Sequence, residues 1–151
     1  PEKFIPKCII SARDNLSVEI HSNKKKTKAG SRHYIHASDV ADGCLFLIKN
    51  RNKIVKKIKN DYGGAKCPKF NLVGPVELDN LQLAKLIAKS VGKKLKYKMV
   101  DFHSSRPGHD LRYALDGNLM KKLGWKPKVS IEERIDQVVS WTLKNKRWLK
   151  I

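Results

Sequence analysis

Acidic residues are scarce in this chain of 151 residues: 14 Asp and Glu stand against 33 Lys and Arg, a formal net charge of +19. Cysteine is scarcer. Cys8, Cys44 and Cys67 are an odd number at long spacings with no C-x-x-C pair, which argues against a structural zinc site or a disulfide framework and suits a reducing compartment. A cytoplasmic protein is expected. No run of about 18 apolar residues occurs, so no spanning helix is expected, and no basic-then-apolar leader opens the chain. Pro1-Glu-Lys-Phe-Ile-Pro6 starts without methionine and reads as interior sequence, so a fragment or excised domain is expected.

Several chemical signatures are missing too. There is no G-x-G-x-x-G and no G-x-x-x-x-G-K-[ST], so the chain carries no dinucleotide or P-loop site of its own. Tyr34, Tyr97 and Tyr113 have no lysine four residues on; Tyr62–Lys66 has that spacing but straddles Gly63-Gly64 in a lysine-rich stretch, and we read it as accidental. No paired carboxylates and no Ser/His/Asp or Cys/His set stand at catalytic spacing. His33 and His36 are not at metal spacing with any Cys or carboxylate set. Neither a catalytic residue nor a metal site is expected.

The positive charge invites a nucleic-acid reading. The 33 basic residues, however, are 26 Lys and only 7 Arg, whereas base and phosphate readers lean on Arg. The lysines are scattered, as in Lys93-Lys94, Lys121-Lys122 and Lys144-Asn-Lys146, and read as a solvated surface. A basic nucleic-acid-binding module remains the rival from another class.

At this length and 40% hydrophobic content one domain with a moderate core is expected. Residues 2–14 place Phe4, Ile5, Cys8 and Ile9 on one helical face. Val18–His21 reads as a strand, 22–30 as a polar loop, and 32–36 as an alternating strand. Ser38 is expected to cap a helix to about Lys49 that buries Val40, Ala41, Leu45 and Ile48. Residues 51–66 read as an insertion or exposed connection, and 70–74 as a buried strand. Asp79 or Asn80 starts a helix bearing Leu83, Ala84, Ile87 and Val91 and stopped by Gly92. Strands at 95–100 and 112–115, a short helix at 118–123, and a helix opened by the capping box Ser130-Ile-Glu-Glu133 complete the pattern. Its buried face is expected to hold Ile131, Ile135, Val138 and Trp141–Thr142. Short, irregular strands among helices indicate α/β or α+β.

Arg106-Pro-Gly-His-Asp110, running into Leu111-Arg-Tyr-Ala-Leu-Asp116, is the densest chemistry in the chain. Two Arg forks, a tight Pro-Gly turn and a histidine suit a phosphorylated small molecule. Lys3 could reach phosphate or base, or be a solvated lysine. Alternation places Arg32, Tyr34 and His36 on one side of their strand. Asn80 is either a helix cap or, beside free helix N–H groups, a ligand for phosphate or base. Asp39, Asp101, Asp110 and Asp116 read as caps and turn formers, and Trp125, Trp141 and Trp148 as packing residues.

With these residues in view, the chain resembles the C-terminal part of the NAD-dependent sugar-nucleotide epimerases and dehydratases. These are extended short-chain dehydrogenases, and the similarity is greatest to the nucleoside-diphosphate-glucose 4,6-dehydratase group. Pro1-Glu-Lys-Phe-Ile-Pro6 resembles its P-E-K-[LF]-I-P. Ser31–Ala41 resembles R-x-[WFY]-[IL]-[HY]-V-x-D-x-A. Phe70–Gly74 with Glu77–Asn80 resembles Y-N-I-G-x-x-x-E-x-x-N, Arg106–Asp116 resembles R-P-G-H-D-x-R-Y-A-x-D, and Leu123-Gly-Trp-Lys-Pro127 resembles L-G-W-x-P.

The resemblance implies the C-terminal portion of a Rossmann-like α/β fold that binds a nucleoside diphosphate-sugar. Lys3 and Phe4 would lie by the nucleotide, Ile20 and His21 would flank its base, and Arg32 and Arg106 would grip the diphosphate. Asn80 would bond to the nucleotide, and His109 would sit beside it. His21 stands where these dehydratases often have an aromatic residue. Residues 33–50 and 68–74 would pack on an N-terminal half that binds NAD and carries the catalytic groups. In the intact enzyme, implied to be a homodimer, hydride would pass from sugar C4 to NAD, water would leave, and hydride would return at C6. The chain alone would be inactive. A sugar-nucleotide epimerase or decarboxylase is the alternative within the superfamily.

Overall fold

A computed structural model describes residues 3–61, 68–101 and 110–149. The first helix, α1 (Phe4–Arg13), buries Cys8, Ile9 and Ala12. β1 (Ser17–Ser22) alternates exposed and buried residues, turning Val18, Ile20 and Ser22 inward. The polar loop after it is closed by Asn23, whose side-chain Oδ1 accepts from the backbone N–H groups of Thr27 and Lys28 at 2.8 and 3.1 Å. β2 (Ser31–His33), α2 (Ala37–Lys49) and α3 (Arg51–Asp61) follow. β3 (Glu77–Asp79) leads straight into α4 (Asn80–Val91), then come β4 (Lys96–Asp101), β5 (Arg112–Tyr113), α5 (Asn118–Leu123) and α6 (Ile131–Lys144). A turn of 3-10 helix, Lys146–Leu149, ends the described chain.

α4 is the centre of the core, packed between α1 and α6. Asp79 caps it with a complete capping box: its carboxylate accepts from Gln82 N while the Gln82 amide accepts from Asp79 N. Gly92 closes it at φ 74°, the left-handed value glycine adopts without a Cβ penalty. Leu83, Ala84 and Ile87 of α4 pack with Ile9, Val18, Ile20, Ile135, Val139 and Leu149. Each large side chain so buried contributes about 1.5–3 kcal/mol. β1 lies parallel to β4, from Ser17 opposite Lys96 to Ser22 opposite Asp101. A second sheet has β2 at its centre, antiparallel to β3 and parallel to β5, with Arg32 opposite both Leu78 and Tyr113.

The structure redraws several expectations. β2 ends at His33, because its antiparallel partner β3 begins opposite it at Glu77, and parallel β5 ends at Tyr113 opposite Arg32. α2 is capped by His36, whose Nδ1 accepts from Ser38 N at 3.1 Å, and not by Ser38. Its buried residues are Asp39 and Gly43, while Ala41, Leu45 and Ile48 are exposed. The reason is that α2 is fastened by polar contacts. Asp39 takes both Nε and Nη2 of Arg134 on α6, at 3.0 and 2.6 Å, and Asp42 accepts from the Trp125 indole at 2.8 Å. Asp39 is therefore a buried ion-pair partner, not a cap or turn former. Residues 51–61, within the stretch read as an insertion or exposed connection, form α3, with Ile54 and Ile58 buried. Residues 70–74 pair with no strand among the described residues. They pack closely: a Cβ on Gly74 would lie 1.9 Å from the Tyr34 carbonyl oxygen, and Leu72 fills the space beside Gly43. Trp125 is buried as expected, whereas Trp141 and Trp148 are exposed and lean on one another with ring centroids 6.1 Å apart. Tyr62 and Lys66 lie outside the described residues.

Candidate functional site

Four segments meet at Gly30. Its N–H donates to the His21 carbonyl at 3.2 Å, and its carbonyl accepts from Asn80 N at 2.8 Å. The next residue, Ser31, donates from its backbone to the Leu111 carbonyl at 2.8 Å. A Cβ on Gly30 would stand 3.3 Å from Leu111 O and 3.5 Å from Asn80 Nδ2. The end of β1, the start of β2, the N-terminus of α4 and the start of β5 are thus drawn to one point by backbone hydrogen bonds. A side chain at residue 30 would crowd that point.

Arg32 projects from the centre of this junction. Its guanidinium carbon lies 5.3 Å from the Tyr113 ring centroid and 5.9 Å from that of Tyr34. Both distances fall within cation–π range, so two aromatic rings fix a side chain that would otherwise sweep a wide volume. Tyr34 also reaches the helix: its hydroxyl donates to Asn80 Oδ1. Burial pushes the Tyr34 phenol up to about 12, so it remains a protonated donor across the working range. Asn80, the first residue of α4, is 8% exposed. It stands at a helix N-terminus whose negative partner is already supplied by the capping Asp79 carboxylate, and its own N–H is taken by the Gly30 carbonyl.

Glu77 ties the sheet beneath the site. Its carboxylate takes Nε and Nη2 of Arg112 at 2.7 and 2.8 Å and accepts from Ser31 Oγ at 2.7 Å, with His33 Nε2 at 3.8 Å. The paired Arg112 fork, then the Ser31 hydroxyl, hold the Glu77 carboxyl down at about 2. On the face of β2 opposite Arg32, His33 lines a cleft of about 410 Å³ with Asn71, Asp116, Lys121 and Trp125. Its Nδ1 is sealed from solvent and has no hydrogen-bond partner, so a molecule in that cleft could not reach it.

The site residues expected from sequence fall into three groups. Arg32, Asn80 and His21 converge on the Gly30 junction. Lys3 is the exposed N-cap of α1, and Phe4 is a half-buried residue against the core. Ile20 is fully buried in the core, so its position offers a ligand no side chain. Arg106 and His109 lie outside the described residues. Reading the sequence missed Tyr113, Gly30 and the double role of Tyr34. The only local signal was the placement of Tyr34 two residues from Arg32, on the same side of a strand.

Over 149 residues the chain is 32% identical to the dTDP-D-glucose 4,6-dehydratase of Mus musculus, a match covering 96% of this chain and 37% of that protein. The chain is similar in sequence to the dTDP-glucose 4,6-dehydratases. It spans about two fifths of the length of the curated relatives it matches. No protein-family profile matches the chain. Among solved structures, the dTDP-glucose 4,6-dehydratase of Bacillus anthracis in complex with NAD superposes with a TM-score of 0.70 at 24% identity, over 99% of this chain and 43% of that one. The UDP-glucose-4-epimerase of Stenotrophomonas maltophila, with bound NAD and formylated UDP-arabinopyranose, gives 0.72 at 20% identity, over 97% of this chain and 41% of that one. The fold is that of the C-terminal portion of an extended short-chain dehydrogenase. Among the described residues, no helix is long and apolar enough to cross a membrane.

Proposed function

We propose that this chain is the nucleotide-sugar-binding portion of an NAD-dependent sugar-nucleotide 4,6-dehydratase, and that it positions substrate and performs no chemistry alone. The observation that carries the reading is the junction at Gly30. It brings Arg32, held between two rings, to the N-terminus of α4 and Asn80, beside His21 and the start of β5. An arginine fork beside the Asn80 amide suits a diphosphate joined to a nucleoside. Arg106 and His109, only a few residues before Leu111, would complete the grip; Lys3 and Phe4 would flank the nucleotide. Holding the part of the substrate that does not react directs remote binding energy to orienting the sugar.

The described residues do not fit NAD. Among those described, no strand runs through a glycine-rich turn into a helix: β1 enters the lysine-rich loop, and β3 passes into α4 through Asp79. The cofactor and catalytic groups would belong to a partner half of the kind the relatives possess, packed on residues 33–50 and 68–74. The exposed Leu45 and Ile48 of α2 favour that placement. The intact enzyme is proposed to be a cytoplasmic homodimer.

Equilibrium titration of the chain with dTDP, thymidine and single-stranded DNA tests the reading. The expectation is at least about tenfold tighter binding of dTDP than of thymidine, the contribution of a charge-assisted phosphate contact. Tight DNA binding that falls steeply with salt, with no preference for dTDP, would mark a nucleic-acid module instead.

A further inference from the structure

We infer that Tyr34 is a positioning residue that couples the two ligand-facing groups of the site, bracing Arg32 with its ring and setting which end of the Asn80 amide faces the nucleotide. The inference rests on the nucleotide-sugar reading above.

A primary amide has an acceptor end and a donor end, and a ligand sees one or the other. In this site the choice is made by hydrogen bonding. The Tyr34 hydroxyl donates to Asn80 Oδ1, which occupies the acceptor end and leaves Nδ2 beside Gly30. Asn80 therefore presents a donor. Its counterpart on a nucleotide must be an acceptor, an oxygen or unprotonated ring nitrogen of the nucleoside. Burial keeps the Tyr34 phenol protonated, so its hydroxyl stays available as the donor to Asn80 Oδ1.

The same ring serves the second group. It lies 5.9 Å from the guanidinium carbon of Arg32, with Tyr113 at 5.3 Å. Tyr34 itself is held by the close approach of Gly74 to its carbonyl oxygen. It also lies half-buried against the core, so it is a brace and not a stacking platform for a base. One side chain thereby sets the spacing between a diphosphate-gripping arginine and a nucleoside-reading amide that stand 48 residues apart in sequence.

The prediction separates the hydroxyl from the ring. Wild-type chain, Tyr34→Phe and Tyr34→Leu would be titrated with dTDP and with inorganic pyrophosphate. Tyr34→Phe should bind dTDP about fivefold more weakly, the loss of one hydrogen bond of ordinary net strength, and bind pyrophosphate as wild type does. Tyr34→Leu should weaken both. A merely structural role would move both ligands together, so equal weakening by Tyr34→Phe overturns the inference, as does no change in either. The phenylalanine variant keeps the packing, so the test stands even if the leucine variant does not fold. Failure of the wild-type chain to bind either ligand is a different result: it overturns the reading of the site, and the coupling with it.

Discussion

The α1–α4–α6 core and the elements outside it, α2 and the β2 sheet, are held by opposite means. The core is apolar and closed, with Ile9, Ile20, Leu83, Ile87 and Val139 at most 1% exposed. α2 and β2 bury little hydrocarbon, and α2 leaves Leu45 and Ile48 in solvent. Their order comes from directed contacts: Asp39 with Arg134, Asp42 with Trp125, Glu77 with Arg112 and Ser31. Apolar packing tolerates small shifts, whereas hydrogen-bonded forks fix angles. A diphosphate site needs angles. The hydrogen-bonded forks around Glu77 stand beside Arg32 and the Gly30 junction, while bulk stability lies with the packed helices.

The largest expected effect tests whether these polar elements depend on their clamps. Arg134→Ala should destabilise the chain by about 4 kcal/mol, because it leaves the Asp39 carboxylate buried and unpaired. Replacing both partners, as Asp39→Leu with Arg134→Leu, should recover most of that loss. Chemical denaturation of the three variants checks it; a cost below about 1 kcal/mol for Arg134→Ala would erase the contrast. Next, Leu83→Ala should cost about 3 kcal/mol by leaving a cavity in the core. It should leave dTDP binding by the folded protein unchanged, since Leu83 is inside α4 and touches no ligand residue by hydrogen bond.

The smallest effect is a pH dependence. Glu77 falls from an ordinary value of 4.5 to about 2 on folding, so the folded state holds its proton less tightly than the unfolded chain. Its contribution is complete above about 4.5 and is lost as pH falls toward 2. Thermal unfolding between pH 5 and 2 should therefore be less steep in Glu77→Gln than in wild type. Parallel curves would remove Glu77 from the account.

How much of this was legible in the sequence follows from the range of each contact. α1, α4 and α6 announced themselves by apolar spacing, and Asp79, Gly92 and Ser130 by local capping chemistry; all of these act within a few residues. The resemblance to the dehydratases put Arg32 and Asn80 in the site. The bonds that hold these polar elements join residues 46 and 95 positions apart, and no local pattern encodes them. For that reason α2 was read as an ordinary amphipathic helix with Leu45 and Ile48 inward. Local sequence likewise marks Asp39 as a cap or turn former and carries the strand through to His36. The exposure of Trp141 escaped notice for a related cause: its spacing from Val138 suits a buried face, and only the fold tells that the face turns outward there.

The three tryptophans divide the molecule optically. Trp125 is 4% exposed and its indole N–H is bound to the Asp42 carboxylate, while Trp141 and Trp148 are 51% and 56% exposed. Emission from the exposed pair should already be red-shifted and readily quenched by acrylamide in the native state. The blue-shifted, protected component belongs to Trp125 alone. Intrinsic fluorescence should therefore follow the release of α2 from its clamp, without a label, and distinguish it from collapse of the helical core.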